Sequence, residues 1–415
     1  MRSRDTYLAS AVSVVVGCLL PLMASEDTPP PQTIETRLVN SNALDLGYGT
    51  CQWLWPLEAP KEKLAAEPTY RSRAPVYYAA RYGDAEDNIF TFVIDESGGA
   101  GKGYDTLYVD ADNDNRIDPD KERFTFKLRQ APIRLKIQVR AGGRTAPYWV
   151  SFTAFLYSDE KHPKEKIHAN LRDASYYAGE AVFDGKSRKI AIADLNSNGL
   201  FNDVEMGIFT GDRFFIDLND DGSLKDDKGE DLQAGFPYAK YTQIRGRWYS
   251  IVARADGGSV TISTATPPLG LVKAPPMVAS AVLRSKSQSC FPRFASGAAQ
   301  GVAGTYQVQG IRLTAKDGSG RDWQTTGSFP KDAYPQVTIR ENQTTRLNVG
   351  GPPFRIEPGI SAKADGASLE ITLQILGSAG EVYNWPAGNP SAVKPGIQVR
   401  DQSGRVQVSA TLEYG

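Results

Sequence analysis

The chain has 415 residues, and its 47 lysine and arginine side chains nearly balance its 48 aspartate and glutamate side chains. A length above about 300 residues favours several domains over a single core. The balanced charge gives no overall field that would attract nucleic acid or anionic lipid, so we predict no nucleic-acid partner.

The N-terminus predicts a secretory signal peptide over residues 1–24. Two arginines precede a short apolar run, and a proline-rich linker follows over 25–32. The apolar run is too short and too poorly flanked to be a membrane-spanning helix, so we expect an exported protein that is periplasmic, cell-surface or extracellular. Two alternatives stay open. The signal is cleaved near Ala24, or the lipobox-like sequence 15–18 directs acylation of Cys18, which would anchor the protein to a membrane by lipid alone.

Strand patterns dominate the remaining sequence. Short runs of β-branched and aromatic residues alternate with Gly, Asn, Asp and Pro turns, and helical periodicity is confined to a short candidate at 60–66. We therefore predict an all-β fold of several β-sandwich-like modules with very little helix. The predicted modules are 33–130, 131–266 and 267–415, the last holding one or two sandwiches.

A motif with a clear chemistry occurs three times: a hydrophobic strand runs into Asp-x-[Asp/Asn]-x-[Asp/Asn]. Calcium takes six to eight oxygen ligands, so its loops place oxygen side chains at alternate positions and finish with a bidentate carboxylate at position twelve. The second copy, 194–205, fills every position of such a loop. Its predicted ligands are Asp194, Asn196, Asn198, the carbonyl of Leu200, Asn202 and Glu205. Because only the first and last of these carry charge, we expect weak affinity, on the order of 10⁻⁵ to 10⁻³ M.

The first copy carries more charge but lacks an acid at position twelve. Its predicted ligands are Asp110, Asp112, Asp114, the carbonyl of Arg116, and Asp118. Lys121 occupies position twelve, which leaves Asp120 or Glu122 to close the site.

The third copy begins equally well, and its predicted ligands are Asp217, Asn219, Asp221 and Ser223. Lys228 occupies position twelve here. A carboxylate from Asp226, Asp227 or Glu230 has to substitute, or the site holds no ion.

Metal-free polar turns are the alternative interpretation, because Asp, Asn and Gly are common in turns for reasons unrelated to ions. All three copies, however, share the hydrophobic entry and a hydrophobic residue at position eight, which is Ile117, Phe201 or Leu224. This shared pattern favours Ca²⁺ at one or more of the loops. The loops resemble the EF-hand-like calcium loops of exported bacterial proteins, of dockerins and of thrombospondin type 3 repeats.

The resemblance extends to the loops and not to the helix pair of a true EF-hand. The residues before the aspartates, 107–109, 190–193 and 214–216, have strand character. A strand-loop architecture is therefore expected in place of a helix-loop-helix.

The C-terminal region carries a glycine followed by an aromatic strand over 302–308. This sequence resembles the strand entry of prealbumin-like bacterial β-sandwich modules, such as carboxypeptidase regulatory-like and Cna B-type repeats. The resemblance implies that 337–349 forms a later hairpin of the module, and that the module binds a partner or acts as a spacer.

The residue types that common catalytic sites need, histidine above all, are scarce in this sequence. The histidines are His162 and His168, both in the charged segment 159–168, which we expect to be an exposed loop. They are too few for a histidine zinc site or a Ser-His-Asp relay. Beyond the signal, Cys51 and Cys290 either form a disulfide or remain two buried thiols.

We therefore predict no catalytic residue and no cofactor other than Ca²⁺. The leading hypothesis is a structural or binding element of the cell envelope, whose partner is an envelope polysaccharide or another envelope protein. The alternative is a polysaccharide-binding or polysaccharide-active protein with structural calcium. Sugar-stacking surfaces would then come from among six tryptophans that otherwise serve as core: Trp53, Trp55, Trp149, Trp248, Trp323 and Trp385.

Overall fold

The computed structural model describes residues 30–40, 51–128, 131–157, 166–204, 211–224, 235–285, 288–316, 320, 322–330, 333–362, 369–383, 396–400 and 402–411. Within these residues the fold is all-β, with several separate sheets and no helix, which confirms the predicted class. The strands belong to the compact unit Pro31–Gly415. No helix long and apolar enough to cross a membrane occurs in this part of the chain.

The strands before residue 265 are, in chain order, β1 (Gln32–Glu35), β2 (Arg37–Asn40), β3 (Gln52–Leu54), β4 (Val76–Arg81), β5 (Ile89–Asp95), β6 (Thr106–Val109), β7 (Arg123–Thr125), β8 (Ile133–Ala141), β9 (Arg144–Tyr157), β10 (Lys166–Asp173), β11 (Ser175–Phe183), β12 (Lys186–Ala193), β13 (Arg213–Ile216), β14 (Phe236–Pro237), β15 (Tyr241–Ile244), β16 (Arg247–Ala253) and β17 (Ser259–Thr264). They form antiparallel sheets with the strand orders β1-β17-β16-β15, β3-β10-β9-β8, β14-β13-β12-β11-β2 and β4-β5-β6-β7.

The later strands are β18 (Leu269–Lys273), β19 (Val278–Arg284), β20 (Ser289–Cys290), β21 (Ala298–Val302), β22 (Gly304–Lys316), β23 (Asp322–Ser328), β24 (Gln336–Ile339), β25 (Thr344–Arg346), β26 (Arg355–Ala362), β27 (Leu369–Leu376), β28 (Val382–Tyr383), β29 (Gly396–Arg400) and β30 (Val406–Thr411). Their sheets have the orders β21-β18-β25, β20-β19-β22-β23-β28-β27-β26 with β24 beside β22, and β29-β30.

One hydrophobic core joins the four sheets that precede residue 265. Its buried side chains run from Leu54 to Ile262, and so come from both predicted modules, 33–130 and 131–266. Every residue of β5 is buried, so both faces of that strand are covered. The aspartate loops follow β6, β12 and β13, all of which contribute to this part of the molecule, and the three predicted strand entries are confirmed.

A second core lies in the C-terminal region, with buried side chains from Val272 to Tyr383. The predicted hairpin over 337–349 is wrong. Strand β24 pairs antiparallel with β22, whereas β25 pairs parallel with β18, so the two strands join different sheets. Long-range pairing with burial of Val337 and Ile339 outweighs the local turn between the two strands.

The helical candidate at 60–66 is also wrong, because its backbone bonds to the first aspartate loop. The Ala65 N–H donates to the Asn115 carbonyl at 2.6 Å, and the Ile117 N–H donates to the Ala66 carbonyl at 3.0 Å. These bonds to a distant segment use backbone N–H and carbonyl groups that a helix would have paired within itself.

His168 lies in a setting different from the predicted exposed loop. It is on β10 and is buried, although alternation places it on the face opposite to the core residues Ala169 and Leu171, because aromatic rings, including those of Trp55 and Tyr157, pack against it. Its ring packs against the ring of Trp55, with centroids 4.7 Å apart. His162 lies outside the described residues.

Cys51 and Cys290 are free thiols and do not form the disulfide that one alternative proposed. Cys51 is half-buried. Cys290 is buried, and burial raises the pKa of its thiol to about 11.

Candidate metal centres

The three aspartate loops share one backbone conformation. In each loop the residues at positions four and six have positive φ, the left-handed region that Gly, Asn and Asp tolerate best. These residues are Asn113 and Asn115 (57° and 64°), Ser197 and Gly199 (56° and 79°), and Asp220 and Gly222 (61° and 81°). The same two kinks at the same two positions show that the three sequences build the same turn.

Side-chain hydrogen bonds hold this turn in the same way in each loop. The carboxylate at position one accepts the backbone N–H groups at positions five and six: Asp110 from Asp114 and Asn115, Asp194 from Asn198 and Gly199, and Asp217 from Asp221 and Gly222. The side chain at position five accepts the N–H at position seven: Asp114 from Arg116, Asn198 from Leu200, and Asp221 from Ser223. Such bonds also occur in turns that hold no ion, so they define the loop and not its ligand.

The first loop gathers three carboxylates. Ligand oxygens of Asp110, Asp112 and Glu122 all lie within 4.8 Å of one another, the one such acidic group in the part of the chain that the structure describes. Asp110 and Glu122 are buried, and Asp112 is exposed. Glu122 accepts the N–H groups of Ala111 and Asp118 at 2.7 and 2.8 Å, which fixes its carboxylate across the loop.

Other predicted residues of the first loop point elsewhere. The Asp118 carboxylate accepts the Asp120 N–H at 3.0 Å and forms an ion pair with Lys121 at 2.8 Å. Asp114 is exposed, and its Oδ1 accepts the Arg116 N–H at 2.8 Å. Two acids are candidates to close this loop. Asp120 is exposed, whereas Glu122 lies with Asp110 and Asp112 in the group of three carboxylates.

The electrostatics of the first loop favour a neutralising partner. Burial, and then the charge of Glu122, raise the pKa of Asp110 to about 7. Burial also raises the pKa of Glu122. Carboxylates that share a poorly hydrated site disfavour simultaneous ionisation, and either protons or a cation relieve the repulsion.

The second loop is docked into the first core. Asp194 is fully buried, and its Oδ2 accepts the Tyr148 hydroxyl at 2.8 Å and the Gly199 N–H at 2.6 Å. Because Tyr148 lies on β9, this bond ties the loop to a neighbouring sheet. Phe201 at position eight is buried in the first core, and its N–H donates to the Ala255 carbonyl at 2.9 Å. Burial raises the pKa of Asp194 to about 7.

The asparagines of the second loop face Asp203. The Asn196 and Asn198 amides donate to Asp203 Oδ2 at 3.1 and 2.5 Å. Asn202, the predicted ligand at position nine, is exposed. Glu205, the predicted ligand at position twelve, lies outside the described residues.

Two further acidic residues that the sequence did not single out lie beside this loop. The Asp203 N–H donates to Asp212 Oδ2 at 2.5 Å, and the Asp212 N–H donates to the Asp203 carbonyl at 3.1 Å. Asp212 and Asp173 are both buried. Burial, and then the charge of Asp194, raise the pKa of each. Four acidic side chains, Asp173, Asp194, Asp203 and Asp212, therefore lie in or beside the second loop, but no three of these carboxylates, all of them among the described residues, come within 4.8 Å of one another.

The third loop is more exposed, and basic side chains already contact it. Arg188 donates to the carbonyls of Asp217 and Leu218 at 2.9 Å each and pairs with Asp220 at 2.6 Å, and Lys189 Nζ donates to the Gly222 carbonyl at 3.1 Å. Asn219 and Asp221 are exposed, and Ser223 and Leu224 are half-buried. Lys228 and the three candidates to close this loop lie outside the described residues.

Comparison with known proteins gives no relative: no protein-family model, curated protein or solved structure matches this chain. The function is therefore inferred from the loops and their surroundings.

Proposed function

We propose that the protein is an exported calcium-binding β protein that acts as a structural or binding component of the cell envelope. Its partner would be an envelope polysaccharide or another envelope protein. The observation that carries the proposal is the shared backbone of three loops that each offer oxygen side chains at alternate positions. All-oxygen ligand sets suit hard cations such as Ca²⁺ and disfavour softer metals.

The first loop has dimensions that suit calcium. Calcium–oxygen distances are about 2.4 Å, so two ligands of one ion lie no more than about 4.8 Å apart. The oxygens of Asp110, Asp112 and Glu122 meet this limit. Two of these carboxylates, those of Asp110 and Glu122, are buried and provide the negative charge that such loops place around the ion.

A structural role for the ion follows from where the loops lie. They follow β6, β12 and β13, next to the core that joins four sheets. An ion that binds the folded chain and not the unfolded chain stabilises the fold by mass action. In a calcium-rich exterior such sites remain filled. Export, by cleavage near Ala24 or with a lipid at Cys18, is supported by the N-terminal sequence.

Calorimetric titration of the metal-free protein with calcium chloride tests the proposal. We expect uptake of one or more ions per chain, and the Asp110→Asn variant should lose one of them because the first loop then has only two carboxylates. Lys121→Ala, which removes the positive charge beside Asp118, is the matched control and should not lower the number of ions bound. Absence of any calcium uptake by the unmodified protein would contradict the calcium function.

Polysaccharide binding is the second candidate, supported by an exposed aromatic surface formed by Trp53 on the edge strand β3 and by Trp55, which directly follows that strand. Trp53 and Trp55 are 55% and 50% exposed, unlike core tryptophans. Their spacing of two residues places them on one side of an extended chain. The ring of Trp53 lies 6.5 Å from that of Tyr157, which is 36% exposed. Aromatic rings of this kind suit the apolar faces of sugars.

Replacing Trp53 and Trp55 with alanine should weaken retention on an immobilised envelope polysaccharide by about tenfold, since an aromatic contact contributes about 0.5–1.5 kcal/mol. Affinity electrophoresis against a panel of soluble glycans measures this. Phe354→Ala removes another exposed aromatic side chain, in the C-terminal region, and should leave retention unchanged. Equal retention of all three proteins, or none by the unmodified protein, argues against this second function.

A further inference from the structure

Acidic side chains from separate strands meet around the second loop. Asp173 ends β10, Asp194 follows β12, and Asp212 immediately precedes β13. All three are at most 2% exposed, and Asp203 in the loop is half-buried. The sheet pairing of β12 with β13 brings the two ends of the intervening segment together. The juxtaposition is therefore fixed by the fold and not by the loop sequence.

Other buried carboxylates in the described residues have hydrogen-bond donors. Asp95 accepts the N–H groups of Arg71 and Ser72 at 2.9 and 2.7 Å. Glu381 is fully buried and accepts the Gly350 N–H at 2.8 Å. This is the ordinary arrangement, because a buried charged oxygen without a partner is unfavourable.

The second loop departs from that arrangement. Among the described residues, the buried carboxylate oxygens that accept no hydrogen bond belong to Asp173 and Asp212. For Asp212 the oxygen is Oδ1, since Oδ2 accepts the Asp203 N–H. The amide oxygen of Asn196, in the same loop, is likewise buried and without a donor. Several buried oxygens without donors in one acidic group are unfavourable unless protons or a cation neutralise them, and a cation is the partner that can use all of these oxygens at once.

We propose, on the basis of the calcium function above, that Asp212 is a direct calcium ligand of the second loop, together with Asp194 and Asn196. The Asp203 N–H donates to the Asp212 carboxylate and the Asp212 N–H donates to the Asp203 carbonyl, and these two hydrogen bonds hold Asp212 against the loop. The acid that closes the site thus comes from the residue before β13 and lies outside the loop sequence. Asp203 and Asp173 add two further negative charges beside these ligands.

The ligand set changes the expected affinity of this site. Calcium loops bind more tightly as the number of charged ligands and the rigidity of the site increase. Asp212 adds a second carboxylate ligand to Asp194, and the Tyr148 hydroxyl fixes the Asp194 carboxylate from a neighbouring sheet. The second site is therefore tighter than its loop sequence alone predicts, and its ion links β9, β12 and β13.

A variant in which only the second loop keeps its full ligand set allows a direct test, and this variant is the background for further substitutions. In the full chain, Asp110→Asn together with Asp217→Asn weakens the other two loops, and calorimetry then reports calcium binding at the second. Adding Asp212→Asn should weaken that affinity by on the order of 100-fold or more, because loss of even an outer partner of a metal ligand costs about 10–100-fold. Adding Asp95→Asn instead changes a buried aspartate that has its own donors, and should leave calcium affinity unchanged.

Thermal unfolding of the same variants separates a ligand from a merely structural residue. With calcium, Asp212→Asn should melt at a lower temperature than its background. Without calcium it should melt at the same or a higher temperature, because the amide removes one of four mutually repelling acids and retains an oxygen for the Asp203 N–H. Asp95→Asn should instead lower the melting temperature equally in both conditions.

The outcomes are distinguishable. If the background protein binds calcium and Asp212→Asn binds it with the same affinity, the role of Asp212 is wrong and the calcium function stands. If the unmodified protein takes up no calcium at all, both fail. Should Asp212→Asn not fold, a crystal structure of the unmodified protein with calcium decides: Oδ1 at about 2.3–2.6 Å from the ion supports the proposal, and a more distant Oδ1 overturns it.

Discussion

Removal of calcium should lower the melting temperature of the protein by about 10–20 °C. A site filled at 100 times its dissociation constant contributes about 2.7 kcal/mol, so the first and second loops together contribute about 5 kcal/mol. For a domain of about 150–250 residues each kcal/mol shifts the melting temperature by about 2–4 °C. Circular-dichroism melts in EDTA and in calcium chloride measure the difference. Magnesium should not restore the loss, because it demands a tighter octahedral site.

The loss of stability should be local as well as global. Hydrogen exchange in EDTA should accelerate in β6, β12 and β13, which lead into the loops, because local opening then no longer has to release the ion. Strand β22 in the second core carries no loop and provides an internal control. The Asp110→Asn and Asp194→Asn double variant should melt alike in both solutions. Equal melting of the unmodified protein in EDTA and calcium would argue that the loops are only turns.

The local features of the site are those that sequence predicts well. An aspartate at position one, an oxygen side chain at position five and a residue that tolerates positive φ at position six are sufficient to build the turn, because all the bonds that hold it span five residues or fewer. The strands that enter the loops are equally local, since their hydrophobic residues are contiguous in sequence. Asn115 at position six of the first loop also has positive φ, as Gly199 and Gly222 do.

The features that sequence did not single out depend on contacts between distant segments. Asp212 reaches the second loop only because β13 pairs with β12, and Asp173 only because β10 ends there. His168 is buried by packing against Trp55, a contact that no local pattern contains. The predicted ligand Asn202 is exposed in the structure. The next residue, Asp203, is half-buried and faces the loop in its place, so the prediction missed by one position.

Replacing Gly199 with asparagine should destabilise the calcium-bound protein by roughly 3 kcal/mol, whereas Gly222→Asn should cost under about 1 kcal/mol. Both glycines occupy position six, with φ of 79° and 81°. Asn115 occupies the same position in the first loop with φ of 64°, so the backbone itself accepts asparagine. The two substitutions therefore share their backbone strain and differ in their surroundings.

Packing decides the difference between the two sites. A Cβ at residue 199 would lie 2.9 Å from Val139 Cγ1 and 3.3 Å from the Gly83 nitrogen, so the loop or β8 has to move. A Cβ at residue 222 would have only the flexible Lys189 Nζ at 3.6 Å. Urea unfolding in excess calcium, with both variants showing the same dependence on urea, measures the two free energies. Equal losses at both positions would mean that the second loop is not docked against the core, and the buried calcium site inferred for it would lose its structural basis.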